Sequence, residues 1–228
     1  MGHFEPARFE KTVTQALENW GAAAPYTRIS NPYRDVKPAQ MQALTPDKAN
    51  AFYTTNLSIK LQDTDPDYPA LYVANFLLGS SETSRLWMRV REKEGLSYNV
   101  RSRLSVSSFE PSGSWGIYAI FAPENRNKVQ DAIRQELDRL LKDGFEPSEV
   151  KDGITALLNY RKLSRAQQGS LASAWVSYLD SERTFAWAAD LDKKIAGLTA
   201  EQLNAAVRKY LKPEQFSSVA AGDFEKKK

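Results

Sequence analysis

Few residues in this sequence are of the types that support metal or nucleophilic catalysis. His3 is its only histidine, and its 228 residues include no cysteine. Catalytic zinc usually takes three protein ligands, typically histidine together with carboxylate or cysteine, so neither H-E-x-x-H nor H-x-x-E-H can be formed. We therefore predict no catalytic residue and no metal site within this chain, and we expect His3 to be exposed.

A short acidic run is the second candidate for metal binding. Asp63, Asp65 and Asp67 are spaced two residues apart, as carboxylates are in calcium loops. Such a loop also needs a glycine at its sixth position and a glutamate at its twelfth, where this sequence has Tyr68 and Ala74. The run therefore predicts a solvated turn. The sequence also contains no G-x-S-x-G motif, no P-loop and no dinucleotide-binding fingerprint.

The joint between a predicted helix and the following strand combines an arginine with a tyrosine. Arg91 lies in the last turn of the helix, Gly95 permits the left-handed turn that ends it, and Tyr98 begins the strand. Such a joint can direct two side chains into one groove, where both offer hydrogen-bond donors suited to carbonyl oxygens. In the alternative interpretation, Arg91 forms a surface ion pair with Glu92 or Glu94, and Tyr98 simply packs.

Composition argues against several classes of protein. The net charge of +3 is small and charges of both signs are interspersed, so the basic bias does not indicate nucleic-acid binding. Two stretches with basic residues, Arg85-Leu86-Trp87 and Arg101-Ser102-Arg103, predict a mixed surface. No apolar run reaches the roughly 18 residues that would predict a membrane span. Hydrophobic residues make up 42% of the chain, which is enough to bury a core.

Hydrophobic periodicity predicts both helices and strands. Apolar spacing, with proline or glycine at the ends, predicts helices over 6–20, 68–78, 83–93 and 124–142, and several more between 147 and 211. Strands are predicted over 49–61, 98–107, 113–121 and 216–221, with the second and third paired as a hairpin. Because hairpins dominate over βαβ units, the predicted fold class is α+β.

The segment before the first predicted strand differs from the rest. Residues 22–47 contain four prolines and predict an extended linker rather than a packed element. The tetrapeptide Gly2-His3-Phe4-Glu5 before it matches Gly222-Asp223-Phe224-Glu225 at three of four positions. The match is either chance or the sign of a repeated domain that ends in a strand followed by G-x-F-E.

Residues 84–98 carry a family resemblance. They read S-R-L-W-M-R-V-R-E-K-E-G-L-S-Y, which resembles the second-domain signature of the pitrilysin/insulinase superfamily of metallopeptidases, a group that includes mitochondrial processing peptidase. The apolar helix ending in Leu77-Leu78-Gly79 and the strand ending in Gly222-Asp223-Phe224 fit the same pattern. Many relatives have a run of glycines after that helix. Here the sequence is Gly79-Ser80-Ser81-Glu82, and we assign this loop no role.

The resemblance implies a domain architecture in which the two domains have different functions. Such proteins contain two related α+β domains in each half, each an antiparallel-rich mixed sheet packed by several helices. The first carries H-x-x-E-H and a distant glutamate for zinc, and the second lacks them and closes the cleft. By this resemblance, residues 1–24 are the terminal helix of a preceding domain, 25–47 are the linker, and 48–228 are the C-terminal peptidase-like domain. Zinc is expected only in the preceding, N-terminal domain.

The resemblance also assigns roles to two residues of this chain. Arg91 and Tyr98 match the arginine and tyrosine that contact the backbone of the substrate peptide. The implied function is the non-catalytic, substrate-binding domain of a zinc endopeptidase, partnered by its zinc domain or by a homologous subunit. Two alternatives are a domain of a catalytically inactive partner subunit and a non-proteolytic scaffold. The resemblance favours a bacterial periplasm or cytoplasm without deciding between them.

Overall fold

The computed structural model describes residues 2–225. Within them the chain forms seven α-helices: α1 (Pro6–Leu17), α2 (Tyr68–Asn75), α3 (Arg126–Asp143), α4 (Pro147–Ala166), α5 (Gln168–Asp180), α6 (Phe185–Ala196) and α7 (Ala200–Tyr210). It forms five strands: β1 (Gln40–Leu44), β2 (Ala51–Ile59), β3 (Ser97–Val106), β4 (Gly113–Phe121) and β5 (Ser217–Gly222). Two π-helical segments, Phe76–Ser80 and Trp87–Lys93, lie between α2 and β3.

The five strands form one mixed sheet in the order β1-β5-β2-β4-β3. Antiparallel pairing joins β3 to β4, β4 to β2, and β2 to β5, while β1 runs parallel to β5. The sheet is therefore rich in antiparallel pairs, with helices packed against it, and the predicted α+β class is confirmed. Strand β3 lies at one edge of the sheet, and it carries the tyrosine singled out by the sequence.

The core lies on one face of the sheet. Odd-numbered positions of β2 and β4 point into it, and most of them are buried, whereas even-numbered positions on both strands stay partly or fully exposed. This alternation is what a strand with one packed and one open face requires. The largest fully buried side chains come from the sheet and from the helices that cover it, and include Trp115, Phe121, Phe145, Leu71, Leu78, Leu157 and Leu203.

A buried polar network fixes the turn between α2 and the sheet. Asn75 donates its side-chain amide to Ser80 Oγ (2.7 Å), and Ser80 Oγ donates to the carbonyl oxygen of Ser102 (2.8 Å). Ser102 Oγ and the indole nitrogen of Trp115 both donate to Asn75 Oδ1, at 2.7 and 3.0 Å. Buried polar groups are retained when they are satisfied, so this network sets where the chain leaves α2 and approaches β3.

The predicted helices and strands are confirmed, with their ends displaced by up to a few residues. The predicted helices at 68–78 and 83–93 both contain π-helical segments, which the periodicity did not indicate. The linker prediction over 22–47 was wrong for residues 40–44, because these form β1 and pair with β5. All five residues of β1 are exposed, so this strand is held mainly by its ladder to β5.

A cluster around Glu110, in the loop between β3 and β4, binds residues 28–31 of the linker. The guanidinium of Arg28 donates to both carboxylate oxygens of Glu110, at 3.2 and 2.5 Å. Ser30 Oγ and the backbone N–H of Asn31 donate to the same carboxylate at 3.1 and 2.9 Å. Chiefly through the bond from Arg28, these donors lower the pKa of Glu110 to about 2. Within residues 2–225, no helix has the length and apolar character needed to cross a membrane.

Candidate functional site

Arg91 lies in a π-helix rather than in a regular α-helix. The wider turn is visible in the bonds that close it, from the N–H of Glu94 to Arg89 O (3.0 Å) and from the N–H of Leu96 to Val90 O (2.9 Å). Segments of π-helix are rare and are frequently found at functional sites. The segment ends at Gly95, which has a φ of 61°, a conformation that costs glycine little.

The exposed side chain of Arg91 stacks on the ring of Trp87. Its guanidinium carbon lies 4.1 Å from the centroid of the Trp87 ring, and 43% of the side chain is exposed. Glu92 is the nearest acid, with 3.7 Å between Arg91 Nε and Glu92 Oε1, which is too long for a hydrogen bond. The alternative predicted from the sequence, an ion pair to Glu92, is therefore present, but without a hydrogen bond. Glu94 pairs with Arg89 instead, at 2.9 Å.

Tyr98 is the extra residue of a β-bulge. In the ladder between β3 and β4, Ser97 lies opposite Phe121 and Asn99 lies opposite Ile120, so Tyr98 has no partner. Ser97 Oγ lies 2.6 Å from Ile120 O, and it accepts a bond from the N–H of Asn99 (3.2 Å). Bulges redirect a side chain, and they occur often beside active sites. Tyr98 is 56% exposed, so it does not pack into the core.

A second arginine stacks on the same ring. The guanidinium carbon of Arg101, on β3, lies 3.8 Å from the centroid of the Trp87 ring. Trp87 itself is only 5% exposed, and its indole N–H donates to Glu92 Oε1 (3.1 Å). Cation–π contacts of this kind hold a guanidinium in place while leaving its N–H groups available. From the sequence, Trp87 and Arg101 were predicted to be parts of a mixed surface, and no pattern indicated that they would be in contact.

Arg85, near the start of the signature, anchors the π-helical segment to α4. Arg85 donates to both oxygens of Glu149 (2.8 and 2.7 Å) and to the carbonyl oxygen of Gly144 (2.8 Å). Its guanidinium carbon also lies 4.6 Å from the centroid of the Phe145 ring. Burial alone would lower the pKa of Arg85, but the bonds and charge of Glu149 outweigh it, and the net pKa is raised. Arg85 therefore ties the start of the helical segment to α4.

Two aspartates of the acidic run at 63–67 form ion pairs with distant parts of the chain. Asp63 accepts two bonds from the guanidinium of Arg183, at 2.6 and 2.8 Å, and only 7% of its side chain is exposed. Asp67 accepts from Lys209 at 2.5 Å. The predicted solvated turn was wrong for Asp63, because Arg183 from the turn after α5 covers it. In the part of the chain that the structure describes, no three histidine or acidic side chains form a group that could hold a metal ion. His3 is exposed, as predicted.

Comparison with known sequences gives one family match and several relatives. The model of the family described as the peptidase M16 inactive domain matches residues 1–157. An uncharacterized zinc protease of Streptomyces coelicolor is 29% identical over 158 residues, which are 66% of this chain and 32% of that protein. A Bacillus subtilis protein named "Probable inactive metalloprotease YmfF" is 36% identical over 112 residues, 49% of this chain and 24% of that protein. The chain thus spans about a third or less of these relatives.

Comparison with solved structures agrees on the fold. The crystal structure of a peptidase M16 inactive domain from Pseudomonas fluorescens superimposes with a TM-score of 0.79 at 21% identity, covering 99% of this chain and 52% of that one. A protease from Helicobacter pylori gives a TM-score of 0.76 at 15% identity, covering 97% and 53%. At such low identity the similarity is one of fold.

Proposed function

The chain belongs to the family of the peptidase M16 inactive domain, and from this premise we propose that it binds the peptide substrate of a zinc endopeptidase without cleaving it. The observation that carries the proposal is the pair of backbone irregularities on either side of Gly95. A π-helix presents Arg91, and a β-bulge presents Tyr98. Both side chains are exposed, although they project from a well-packed joint between helix and sheet.

The two side chains have complementary donors for a peptide backbone. Arg91 offers a planar fork of N–H groups, held in place by stacking on Trp87. Tyr98 offers one O–H group on a rigid ring. In the proposed mode of action, Arg91 binds a carbonyl oxygen of an extended peptide and fixes its position. Tyr98 donates to the carbonyl oxygen of the bond to be cleaved, whose negative charge grows in the transition state.

The residues of this chain do not fit a catalytic zinc. With one histidine and no cysteine, the sequence cannot supply the usual set of ligands. His3 is exposed, and the structure groups no three candidate ligands within residues 2–225. We therefore place the zinc of the proposed peptidase in the preceding N-terminal domain or in a homologous subunit, and we assign no catalytic step to a metal in this chain.

The N-terminal segment supports a preceding domain as the partner. No residue of α1 is buried, and its apolar residues project into solvent, together with one just after it: Phe9, Val13, Leu17 and Trp20. Exposed apolar stripes of this kind mark interaction surfaces. We propose that residues 1–24 pack against a preceding domain and that the segment connecting it to this domain ends before β1, because β1 already belongs to the sheet.

The C-terminal copy of G-x-F-E suggests how the first copy is packed. At the end of β5, the Phe224 ring packs against the core and lies under the guanidinium of Arg126, 4.8 Å from its centroid. A side chain on Gly222 would meet Phe224 Cζ at 2.7 Å, so the motif needs glycine there. Phe4, in the first copy, is 53% exposed and contacts the Phe9 ring. A preceding domain of the same fold would cover Phe4 in part, as this domain covers Phe224.

One relative favours a second candidate function. YmfF is named as an inactive metalloprotease, and by analogy the intact protein could be a subunit that supplies Arg91 and Tyr98 to an active partner. A pure scaffold without proteolysis is less well supported, because such a role would not require both side chains to be exposed. The two leading candidates share the same role for this domain.

A single substitution tests the role of Tyr98. In the intact protein, together with any partner subunit, Tyr98→Phe is expected to lower kcat for peptide cleavage by about 10²-fold, because one donor to a developing oxyanion is lost. Tyr160→Phe is the matched control, since Tyr160 lies on α4 and is also exposed, at 62%. Its rate should stay within about twofold of wild type. Unchanged cleavage by the Tyr98 variant, with Tm also unchanged, would reject the assignment.

A further inference from the structure

Two side-chain bonds join residues five positions apart in the helical segment that carries Arg91. The indole N–H of Trp87 donates to Glu92 Oε1 at 3.1 Å, and Arg89 Nε donates to Glu94 Oε1 at 2.9 Å. On a regular α-helix, neighbouring side chains are three and four positions apart. A spacing of five matches the wider turn of a π-helix, whose backbone bonds also join residues five apart. These side chains therefore favour the π-turn over a regular turn.

Arg89 and Glu94 are joined through both backbone and side chain. The N–H of Glu94 donates to Arg89 O at 3.0 Å, in addition to the bond between the two side chains. The next backbone bond, from the N–H of Leu96 to Val90 O at 2.9 Å, closes the same wide turn. Arg91 lies within the loop that these bonds close, so the direction of its side chain depends on the turn being kept.

Arg89 also fixes this turn to α3. Its Nη2 donates to Gln135 Oε1 at 2.5 Å, and its Nη1 lies 3.7 Å from Glu136 Oε2. The side chain of Glu136 is only 2% exposed, and a buried carboxylate needs cations and donors close to it. All three nitrogens of the Arg89 guanidinium therefore face partners, one on its own turn and two on α3. Such a network holds its members more firmly than an isolated surface ion pair.

We propose that Arg89 is a positioning residue for Arg91. Its bonds to Glu94 and Gln135 keep the π-turn and fix it to α3, so that the Arg91 guanidinium is already in place when the substrate backbone binds. The inference rests on the proposed function and adds a residue that acts through Arg91 without touching the substrate. In the alternative, Arg89 contributes only to the overall stability of the domain.

Hydrogen exchange in this chain tests whether Arg89 keeps the turn. The reporters are the amides of Glu94 and Leu96, which close the turn. Arg89→Gln is expected to raise their exchange rates about tenfold, because bonds from a charged donor are lost, while the protected amides of β4 exchange at the wild-type rate. Arg139→Gln is the matched control, since Arg139 also approaches Glu136, at 3.9 Å, but lies on α3 outside the turn. It should leave the reporters within about twofold of wild type.

Kinetics of the intact peptidase, together with any partner subunit, test whether the turn positions Arg91. Arg89→Gln should raise KM at least about threefold with a smaller effect on kcat, because the group that holds the substrate is misplaced. The same substitution in the Arg91→Ala background should raise KM no further, since a positioning residue has no effect once the group it positions is absent. Arg139→Gln should leave KM unchanged in both backgrounds.

The outcomes separate this inference from the proposed function. Unchanged exchange at both reporters, or equally faster exchange throughout β4, would overturn the inference. So would a normal KM for Arg89→Gln beside a raised KM for Arg91→Ala, or a further rise in the double variant. If Arg89→Gln fails to fold, Glu94→Ala removes the same pair through its other partner, with the same expectations. A normal KM for Arg91→Ala would reject the proposed function and the positioning role with it, while the exchange rates decide independently whether Arg89 keeps the turn.

Discussion

At the scale of single residues, the position of Arg91 depends on Trp87. A surface arginine usually loses much side-chain entropy when it binds a ligand. Arg91 has part of that freedom removed in advance, because its guanidinium already stacks on a nearly buried ring at 4.1 Å. Its loose contact to Glu92, at 3.7 Å, leaves N–H groups free to bind a carbonyl oxygen. The geometry suits a binding role more than a stabilising one.

A pair of Arg91 substitutions tests this role. In the intact peptidase, Arg91→Ala is expected to raise KM about tenfold with a smaller effect on kcat, since the arginine is proposed to hold the substrate. Arg91→Lys should recover little of the loss, because an ammonium group lacks the planar fork. Arg208→Ala, on the exposed side of α7, is the control and should leave KM unchanged. A normal KM for Arg91→Ala would show that Arg91 makes only a surface contact and does not hold the substrate.

The sequence indicated some of these residues and missed others for a physical reason. Arg91 and Tyr98 lie within one short signature, so their spacing was readable from the chain alone. The stacking of Arg101 on Trp87 joins residues 14 positions apart through the fold. The bonds from Arg85 to Glu149 join residues 64 positions apart. Such contacts leave no periodic pattern, and the aromatic residue inside the signature was the only available hint.

At the scale of elements, close packing of a helix turn on β3 positions the site. Gly79 lies in the π-helical segment Phe76–Ser80 before the signature, and a Cβ atom built there would lie 2.6 Å from both Ser102 Cβ and Ser102 N. Backbone atoms of a paired strand cannot easily move away. From the sequence we assigned no role to the segment Gly79-Ser80-Ser81-Glu82, and the structure gives Gly79 a packing role.

Replacement of Gly79 should therefore destabilise the domain. Gly79→Ala is expected to lower the free energy of unfolding by about 1–3 kcal/mol, the usual cost of an overpacked core site. Urea denaturation followed by circular dichroism measures it. Gly169→Ala is the control, because nothing lies within 4 Å of the added carbon on α5, and it should match or slightly exceed wild type. Equal midpoints for Gly79→Ala and wild type would contradict the tight contact.

The linker contact predicts a response to acid. Glu110 has a pKa lowered to about 2 by the bonds from Arg28 and its neighbours, against an ordinary value of 4.5. A lowered pKa means that the contact stabilises the folded linker above pH 4.5, and that this contribution is lost as pH falls from 4.5 through 2. The amide shift of Asn31, which donates to Glu110, should titrate with a midpoint near 2. Glu110→Gln should remove the titration, and a midpoint near 4.5 would contradict it.

Helices and strands were predictable where apolar side chains recur at regular spacing. They were unpredictable where backbone pairing alone determines the structure. Strand β2 and helix α3 show clear periodicity and were predicted. Strand β1 has no buried side chain, so its sequence carries no alternation, and its partner β5 is distant in the chain. The π-helix and the bulge at Tyr98 each insert one residue into a regular ladder. Neither changes composition enough to be recognised.

At the scale of the whole molecule, the chain corresponds to only part of the length of its relatives. It spans 32% of the zinc protease from Streptomyces coelicolor. No residue of α1 is buried, and its apolar residues face solvent. We have proposed that this surface of α1 packs against a preceding domain.

The metal content of the intact native polypeptide distinguishes the two candidate functions. If the zinc ligands precede this chain on the same polypeptide, elemental mass spectrometry after dialysis should find about one zinc per molecule. The isolated 228-residue chain should contain none and cleave no peptide, because one histidine without cysteine cannot complete the usual site. A chelator-treated sample of the intact protein is the control. An intact protein without zinc would favour the inactive partner subunit, whereas zinc-dependent cleavage by the isolated chain would contradict both candidates.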